Sequence, residues 1–227
     1  MTAVVSAPAA QAADWLRCPG CGCTNYAPRL ARELDVCPEC GHHNRIGALE
    51  RIDQIVDACS FVRSTVEPRS ADPLGFTDSK PYVERLVQAR AATGLADAVV
   101  CGRARVKGHA VIIAAMDFAF LGGSMGSAVG EAVTRAAETA LAERTPLLIV
   151  ATSGGARMQE GALSLMQMAK TAQALRGLGA AGVLSICVLT GPTFGGVTAS
   201  FATLADILIG EQGALIGFAG PRVIANA

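Results

Sequence analysis

Aromatic residues make up only 4% of this chain, and the 227 residues carry no surplus charge: 19 Lys and Arg face 19 Asp and Glu. So few aromatics argue against a sandwich of aromatic-rich strands, and the balanced charge gives no global reason to expect nucleic acid or an anionic membrane as partner. Long apolar runs are missing too. The best candidate, Ala110 to Leu121, is interrupted by Asp117 and falls short of the roughly 18 residues needed to cross a bilayer. The Ala-rich stretch Met1 to Asp14 has no Lys or Arg ahead of an apolar segment, so it reads as a flexible tail and not as a signal peptide. A cytoplasmic protein with no membrane contact is the expectation.

What the chain does have is apolar bulk (51% hydrophobic), 25 glycines and a crowd of cysteines. Five of the eight cysteines (Cys18, Cys21, Cys23, Cys37 and Cys40) fall in one short N-terminal segment, which favours metal over a disulfide framework. Cys18-Pro-Gly-Cys21 and Cys37-Pro-Glu-Cys40 are paired C-x-x-C knuckles, each followed by glycine. A two-residue spacer lets both thiolates converge on one tetrahedral ion at about 2.3 Å. A redox role would need only one such pair beside a strand-to-helix junction. Two knuckles fill four positions, which leaves Cys23, His42 and His43 as bystanders and makes the zinc structural, with no open position for substrate.

Composition divides the rest into zones: the ribbon over 15–46, a charged helical and looped connector over 47–94, and a Gly-punctuated apolar domain over 95–227. The connector has Leu49, Ile52, Ile55 and Val56 at helical spacing and a second predicted helix from Tyr82 to Ala92. In the last zone, strands are predicted over Ala98–Val106 and Ala110–Met116 around a turn at Lys107-Gly108-His109. A helix follows, with Val129, Val133, Ala136, Ala137, Ala140 and Leu141 on one face. Buried strands at Leu147–Ala151 and Val183–Leu189 come next, the first leading into a helix through Met158, Leu163 and Leu175. Strand, Gly turn and helix recur three times, which argues for an α/β layer architecture.

The three turns contain Gly122-Gly123, Gly154-Gly155 and Gly195-Gly196. Backbone N–H groups at such junctions can hold a phosphate or a developing oxyanion. No G-x-x-x-x-G-K-[ST] or dinucleotide fingerprint accompanies them, and no serine sits in G-x-S-x-G. Glu131 and Glu160 follow Gly turns and read as helix N-terminal charges more readily than as acids or bases. His109 reads as a solvated turn residue. A chain with aimed Gly turns and no side-chain catalysts would work by oxyanion stabilisation.

Four stretches carry a resemblance: Met116–Gly126, Ser153–Gly161 continuing through Ser164–Lys170, Gly195–Ala202, and Gly217–Ile224. Together with the ribbon and its exit Cys40-Gly41-His42-His43, they resemble the β-type carboxyltransferase subunit of bacterial and plastid acetyl-CoA carboxylase, from Trp15 onward. The resemblance implies a crotonase-like fold of repeated ββα units and a heteromeric enzyme. Its reaction would move a carboxyl group from biotin on a carrier protein to acetyl-CoA, giving malonyl-CoA. Its partners would be an α-type carboxyltransferase subunit or domain and the biotin carboxyl carrier protein. By the same resemblance Gly154 and Gly155 would be oxyanion donors, Gly122, Gly123, Gly195 and Gly196 would shape the CoA-side groove, and Cys18, Cys21, Cys37 and Cys40 would hold zinc.

Two departures stand out. Ala132 follows Glu131 where the family usually has lysine, and the family's sequence continues past Ile224, which suggests a fragment or the first part of a fused β–α chain. Related readings are a carboxyltransferase with another acyl acceptor, a malonyl-thioester decarboxylase subunit, or a zinc-ribbon binding module with an inactive domain. Against the last, the ribbon mixes Arg17, Arg29, Arg32 and Arg45 with Asp14, Glu33, Asp35 and Glu39, which is no basic stripe.

Overall fold

The computed structural model describes residues 15–225, so the tail reading of Met1 to Asp14 lies outside the described residues. Contacts divide the chain after Arg45 into two compact units. In the first, β1 (Trp15–Arg17) pairs antiparallel with β2 (Thr24–Tyr26), and α1 (Ala27–Arg32) follows directly. The Trp15 and Tyr26 rings lie across this pair at 5.3 Å. So small a unit has little core: Leu30 is the one buried residue of α1, and the two cysteine knuckles supply the rest.

The second unit is built on one sheet. Its elements before the sheet's centre are α2 (Ala48–Ile55), β3 (Val62–Arg63), α3 (Tyr82–Thr93), β4 (Val99–Val106), β5 (His109–Met116) and α4 (Ser127–Glu143). Then come β6 (Leu147–Ser153), α5 (Ala162–Ala180), β7 (Ser185–Phe194), α6 (Gly195–Val197), β8 (Ile207–Gly210), β9 (Ile216–Gly217) and α7 (Pro221–Ala225). The sheet order is β3-β4-β5-β6-β7-β8, with β9 alongside β7. From β3 to β5 the pairing is antiparallel and from β5 to β8 it is parallel.

The local sequence explains this arrangement. β4 and β5 are joined by the two-residue turn Lys107-Gly108, which sets Val106 opposite His109 and Val99 opposite Met116. His109 therefore opens a strand, though it stays exposed as expected of a turn residue. β6 reads Leu-Leu-Ile-Val-Ala-Thr-Ser and is buried along its whole length, as a parallel strand covered on both faces must be. α4 turns Val129, Val133, Ala136, Ala137 and Ala140 inward, three and four residues apart, and packs on β5 and α5. Leu141, expected on that face, lies at its exposed margin. The hairpin β4–β5 followed by α4 forms a ββα unit.

Two boundaries differ from expectation. β7 does not stop at Leu189 but runs through Gly191-Pro192-Thr193 to Phe194, after a register shift opposite β6. The third Gly turn is thus reduced to Gly195-Gly196. And α5 starts only after Gly161: the Ser153–Gly155 turn leads into an extended stretch and a short 3₁₀ turn at Met158–Glu160, not straight into the helix. The connector segment packs into the same core as the sheet, through Ala48, Ile52, Tyr82, Leu86 and Ala89.

Candidate functional site

The glycine turns meet. The Gly154 N–H donates to the Gly122 carbonyl at 2.8 Å, and the Ser153 hydroxyl donates to the Gly123 carbonyl at 2.7 Å. The Met125 N–H donates to the Gly155 carbonyl and the Arg157 N–H to the Met125 carbonyl, both at 2.9 Å. The first turn is therefore stitched to the second. Gly123 lies so close that a Cβ on it would stand 2.3 Å from the Thr152 carbonyl oxygen, which no side chain permits.

The second turn meets the third at Gly155. A Cβ there would lie 3.4 Å from Gly195 Cα and 3.6 Å from Gly196 N, and its φ of +117° is one that glycine alone adopts freely. So the structure brings all six predicted glycines together. It also accounts for four of their N–H groups, Gly123 donating to the Phe120 carbonyl at 2.9 Å. Gly154 donates to Gly122, Gly155 donates to the Ser153 hydroxyl oxygen at 2.9 Å, and Gly195 donates to the Phe218 carbonyl at 2.9 Å. Among the described residues the N–H groups of Gly122, Ala156 and Gly196 have no such partner. Ala156 and Gly196 are neighbours: Ala156 N lies 3.5 Å from the point a Cβ on Gly196 would occupy.

Beneath the turns is a charged cluster that sequence reasoning missed. Arg157 is fully buried and forms an ion pair with Asp97, Nη2 donating to Oδ1 at 2.7 Å. Its guanidinium also donates to the Ser124 carbonyl (2.7 Å), the Ser124 hydroxyl (3.0 Å), the Ser70 hydroxyl (2.9 Å) and the Tyr82 oxygen (3.1 Å). Asp97 takes the N–H groups of Ser70 and Ala98 in turn. Burial opposes the charge on Arg157, but the facing Asp97 carboxylate outweighs it and holds the guanidinium protonated.

Glu160, also fully buried, lies 3.4 Å from Arg157 and takes the Ser127 N–H and hydroxyl, each at 2.6 Å. It thus holds the N-terminus of α4, a helix other than its own. Gly126 at the cap position has no side chain to do so. Burial pushes the Glu160 carboxyl up, yet these bonds prevail and hold it below the usual carboxylate range. Burial raises Tyr82, which keeps its hydroxyl proton and donates it to Glu160 at 2.6 Å. Glu131 has a different part: it pairs with Lys170 and Arg135 on the surface of α4 and α5. Neither glutamate is free to act as acid or base at the turns.

In the first unit, the sulfurs of Cys18, Cys21, Cys37 and Cys40 all lie within 4.8 Å of one another. Zinc–sulfur bonds of about 2.3 Å in a tetrahedron put sulfurs about 3.8 Å apart. The Cys18–Cys40 and Cys21–Cys37 separations are 3.7 and 3.8 Å, so the set fits a closed structural zinc. The Gly20 N–H donates to Cys18 Sγ and the Asn25 amide to Cys37 Sγ, bonds that favour thiolates. Burial opposes ionisation of Cys37, but the N–H groups of Glu39 and Cys40 bring its thiol down to about 6. Cys23 and His42 stay outside the cluster, and the His42 ring packs against Gly20 instead.

Both parts of the chain match families of known proteins. A carboxyl transferase domain model matches residues 43–227, and an acetyl-CoA carboxylase zinc finger domain model matches residues 15–40. The carboxyl transferase subunits beta/alpha of acetyl-coenzyme A carboxylase from Salinispora arenicola are 59% identical over 92% of this chain, which spans 37% of that relative's length. The subunit beta from Pelobacter propionicus is 55% identical over 92% of this chain, which covers 74% of it. Among solved structures, transcarboxylase 12S with hydrolysed methylmalonyl-coenzyme A bound superposes with a TM-score of 0.67 at 32% identity, over 80% of this chain and 33% of that one. With four cysteines set for zinc and three glycine turns packed together, the chain belongs to the carboxyl transferase domain family, crotonase-like in fold, and bears the zinc finger domain of acetyl-CoA carboxylase.

Proposed function

We propose that this chain forms the acyl-CoA side of a carboxyl transfer site that gives malonyl-CoA from acetyl-CoA. The observation that carries this reading is the pair of unpartnered N–H groups at Ala156 and Gly196, set on converging turns with no free acid or base beside them. Biotin on a carrier protein supplies the carboxyl group and the base. The chain's own task is electrostatic. Removing an α-proton from a thioester places negative charge on its carbonyl oxygen, and fixed backbone donors hold that charge without reorganising. By the family resemblance Gly154 and Gly155 would be the donors. Because both of those N–H groups are engaged within the chain, we assign the free donors to Ala156 and Gly196 and the floor between them to Gly155. Gly122, Gly123 and Gly195 back that floor and shape the groove for CoA.

The α-type partner, present in the beta/alpha relatives, supplies the complementary half of the site, and a biotin carboxyl carrier protein visits it. The test is reconstitution of a full-length subunit with its α-type partner and a biotinylated carrier. Malonyl-CoA should form from acetyl-CoA faster than the carboxylated product forms from propionyl-CoA. A preference for propionyl-CoA overturns the acyl assignment, and no transfer to any CoA thioester overturns the reading itself.

A further inference from the structure

We propose that Arg157 is a positioning residue: its buried guanidinium sets the direction in which the Ala156 N–H points by clamping the first Gly turn against the second. This rests on the donor role assigned above. Four separate stretches end on this one group. They are the Ser70 loop, Asp97 at the head of β4, Ser124 in the first turn, and the Tyr82–Glu160 pair. The Phe120 ring lies 5.6 Å below it. The Ala156 N–H belongs to the Gly155–Ala156 peptide, whose carbonyl takes the Met125 N–H, while the next peptide gives the Arg157 N–H to the Met125 carbonyl. Arg157 holds Ser124, the neighbour of Met125, so a shift of Met125 turns the peptide that carries the Ala156 N–H.

The chemistry calls for arginine and not just any cation. The Ser124 carbonyl and hydroxyl are met by Nη2 and Nε, while Asp97 is met by Nη2 and Nη1, so a planar fork satisfies two sides at once. Lysine would keep the charge and lose the fork. Asp97 holds the fork in place and leaves the Gly turns untouched, which makes it a positioning residue at one further remove.

The test uses the full-length subunit assembled with its partner and carrier, as wild type, Arg157→Lys and Ser124→Ala, the last removing only the hydroxyl contact. Arg157→Lys should lower kcat at least tenfold with the KM for acetyl-CoA changed less than threefold. Ser124→Ala should lower kcat by a smaller factor in the same direction. Leu178→Ala, a core change far from the turns in sequence, controls for lost stability and should leave the kcat of folded enzyme within twofold. Amide hydrogen exchange read at Met125, whose N–H bonds the first turn to the second, gives a second measure that needs no turnover. It should quicken about tenfold in Arg157→Lys while the β6 amides stay protected. Unchanged exchange at Met125 overturns the proposal, as does a folded Arg157→Lys enzyme with wild-type kcat. If wild type transfers no carboxyl group, the functional reading fails, and exchange alone decides the positioning role. Should Arg157→Lys not fold, the same two readouts on Ser124→Ala decide it.

Discussion

Replacing Gly155 by alanine separates a catalytic notch from a packing device. The added Cβ would meet Gly195 Cα at 3.4 Å and Gly196 N at 3.6 Å, ordinary contact distances, so crowding itself does little harm. The backbone matters more. A φ of +117° suits alanine poorly, and a sparsely populated conformation of this kind costs about 1–3 kcal/mol. At about 2–4 °C of Tm per kcal/mol for a unit of this size, the melting point should fall by about 2–12 °C and the fold should survive. The methyl group, however, would sit in the notch between the free N–H groups. Losing one such donor typically costs about 2.7–4 kcal/mol, on the order of 10²–10³ in kcat. The ground-state thioester uses the donor less, so KM should move far less than kcat.

Gly154→Ala is the internal control, since its Cβ would meet only the Gly122 carbonyl, at 3.5 Å, and its N–H is already engaged. At that exposed position the change should be within about 0.5 kcal/mol in stability and correspondingly small in rate. Steady-state kinetics and thermal melts on the assembled full-length enzyme read both variants. A Gly155→Ala enzyme that melts a few degrees lower but keeps its kcat refutes the notch. Equal losses of kcat in the two variants refute it as well, because general loosening of the turn would then suffice.

Protein purified without chelator should hold one zinc per chain, and metal analysis finding none would sink the ribbon assignment. Structural zinc of this kind contributes about 10–16 kcal/mol of apparent binding free energy, coupled to local folding. Cys37→Ser should therefore unfold the first unit and leave the melt of the sheet unit nearly unchanged. Acid should weaken the sheet unit through Glu160. Its folded carboxyl titrates below the unfolded one, so its contribution is present above the ordinary value of 4.5 and is lost as pH falls through the lower, folded value. The Tm difference between wild type and Glu160→Gln should thus be largest near neutrality and shrink in that acid window. A difference that stays constant from pH 7 to 3 would show that the carboxylate has no net charge advantage in the fold.

Much of this molecule is legible locally. The hairpin of β4 and β5 follows from two apolar runs around Lys107-Gly108, and the zinc site from knuckles whose ligands are neighbours in sequence. The inward face of α4 follows from its spacing. What the sequence hides depends on distant partners. Asp97 and Arg157 stand 60 positions apart, and nothing in the periodicity of either segment marks an ion pair. A lone Asp heading a buried strand and an Arg in a Gly-rich stretch are the only hints. β7 outruns its apolar core because Thr193 pairs with Ser153 and Ile216, contacts set by neighbouring strands and not by its own propensity. The start of α5 is delayed because Arg157 and Glu160 are drawn down into the buried cluster.

The carboxylate that Glu160 lends to α4 also constrains how the sequence can drift. A Cβ on Gly126 would stand 2.3 Å from Glu160 Oε1 and 2.7 Å from its Cδ, so the helix start admits no side chain while that carboxylate is in place. Either position changed alone loses something: a side chain at 126 collides, and a shortened residue at 160 leaves the Ser127 N–H bare. Changed together, with a capping side chain at 126 taking over as Glu160 is shortened, the two losses offset. The positions are 34 apart in sequence by the numbering alone, yet they form one unit of substitution, and their effects on stability will not add.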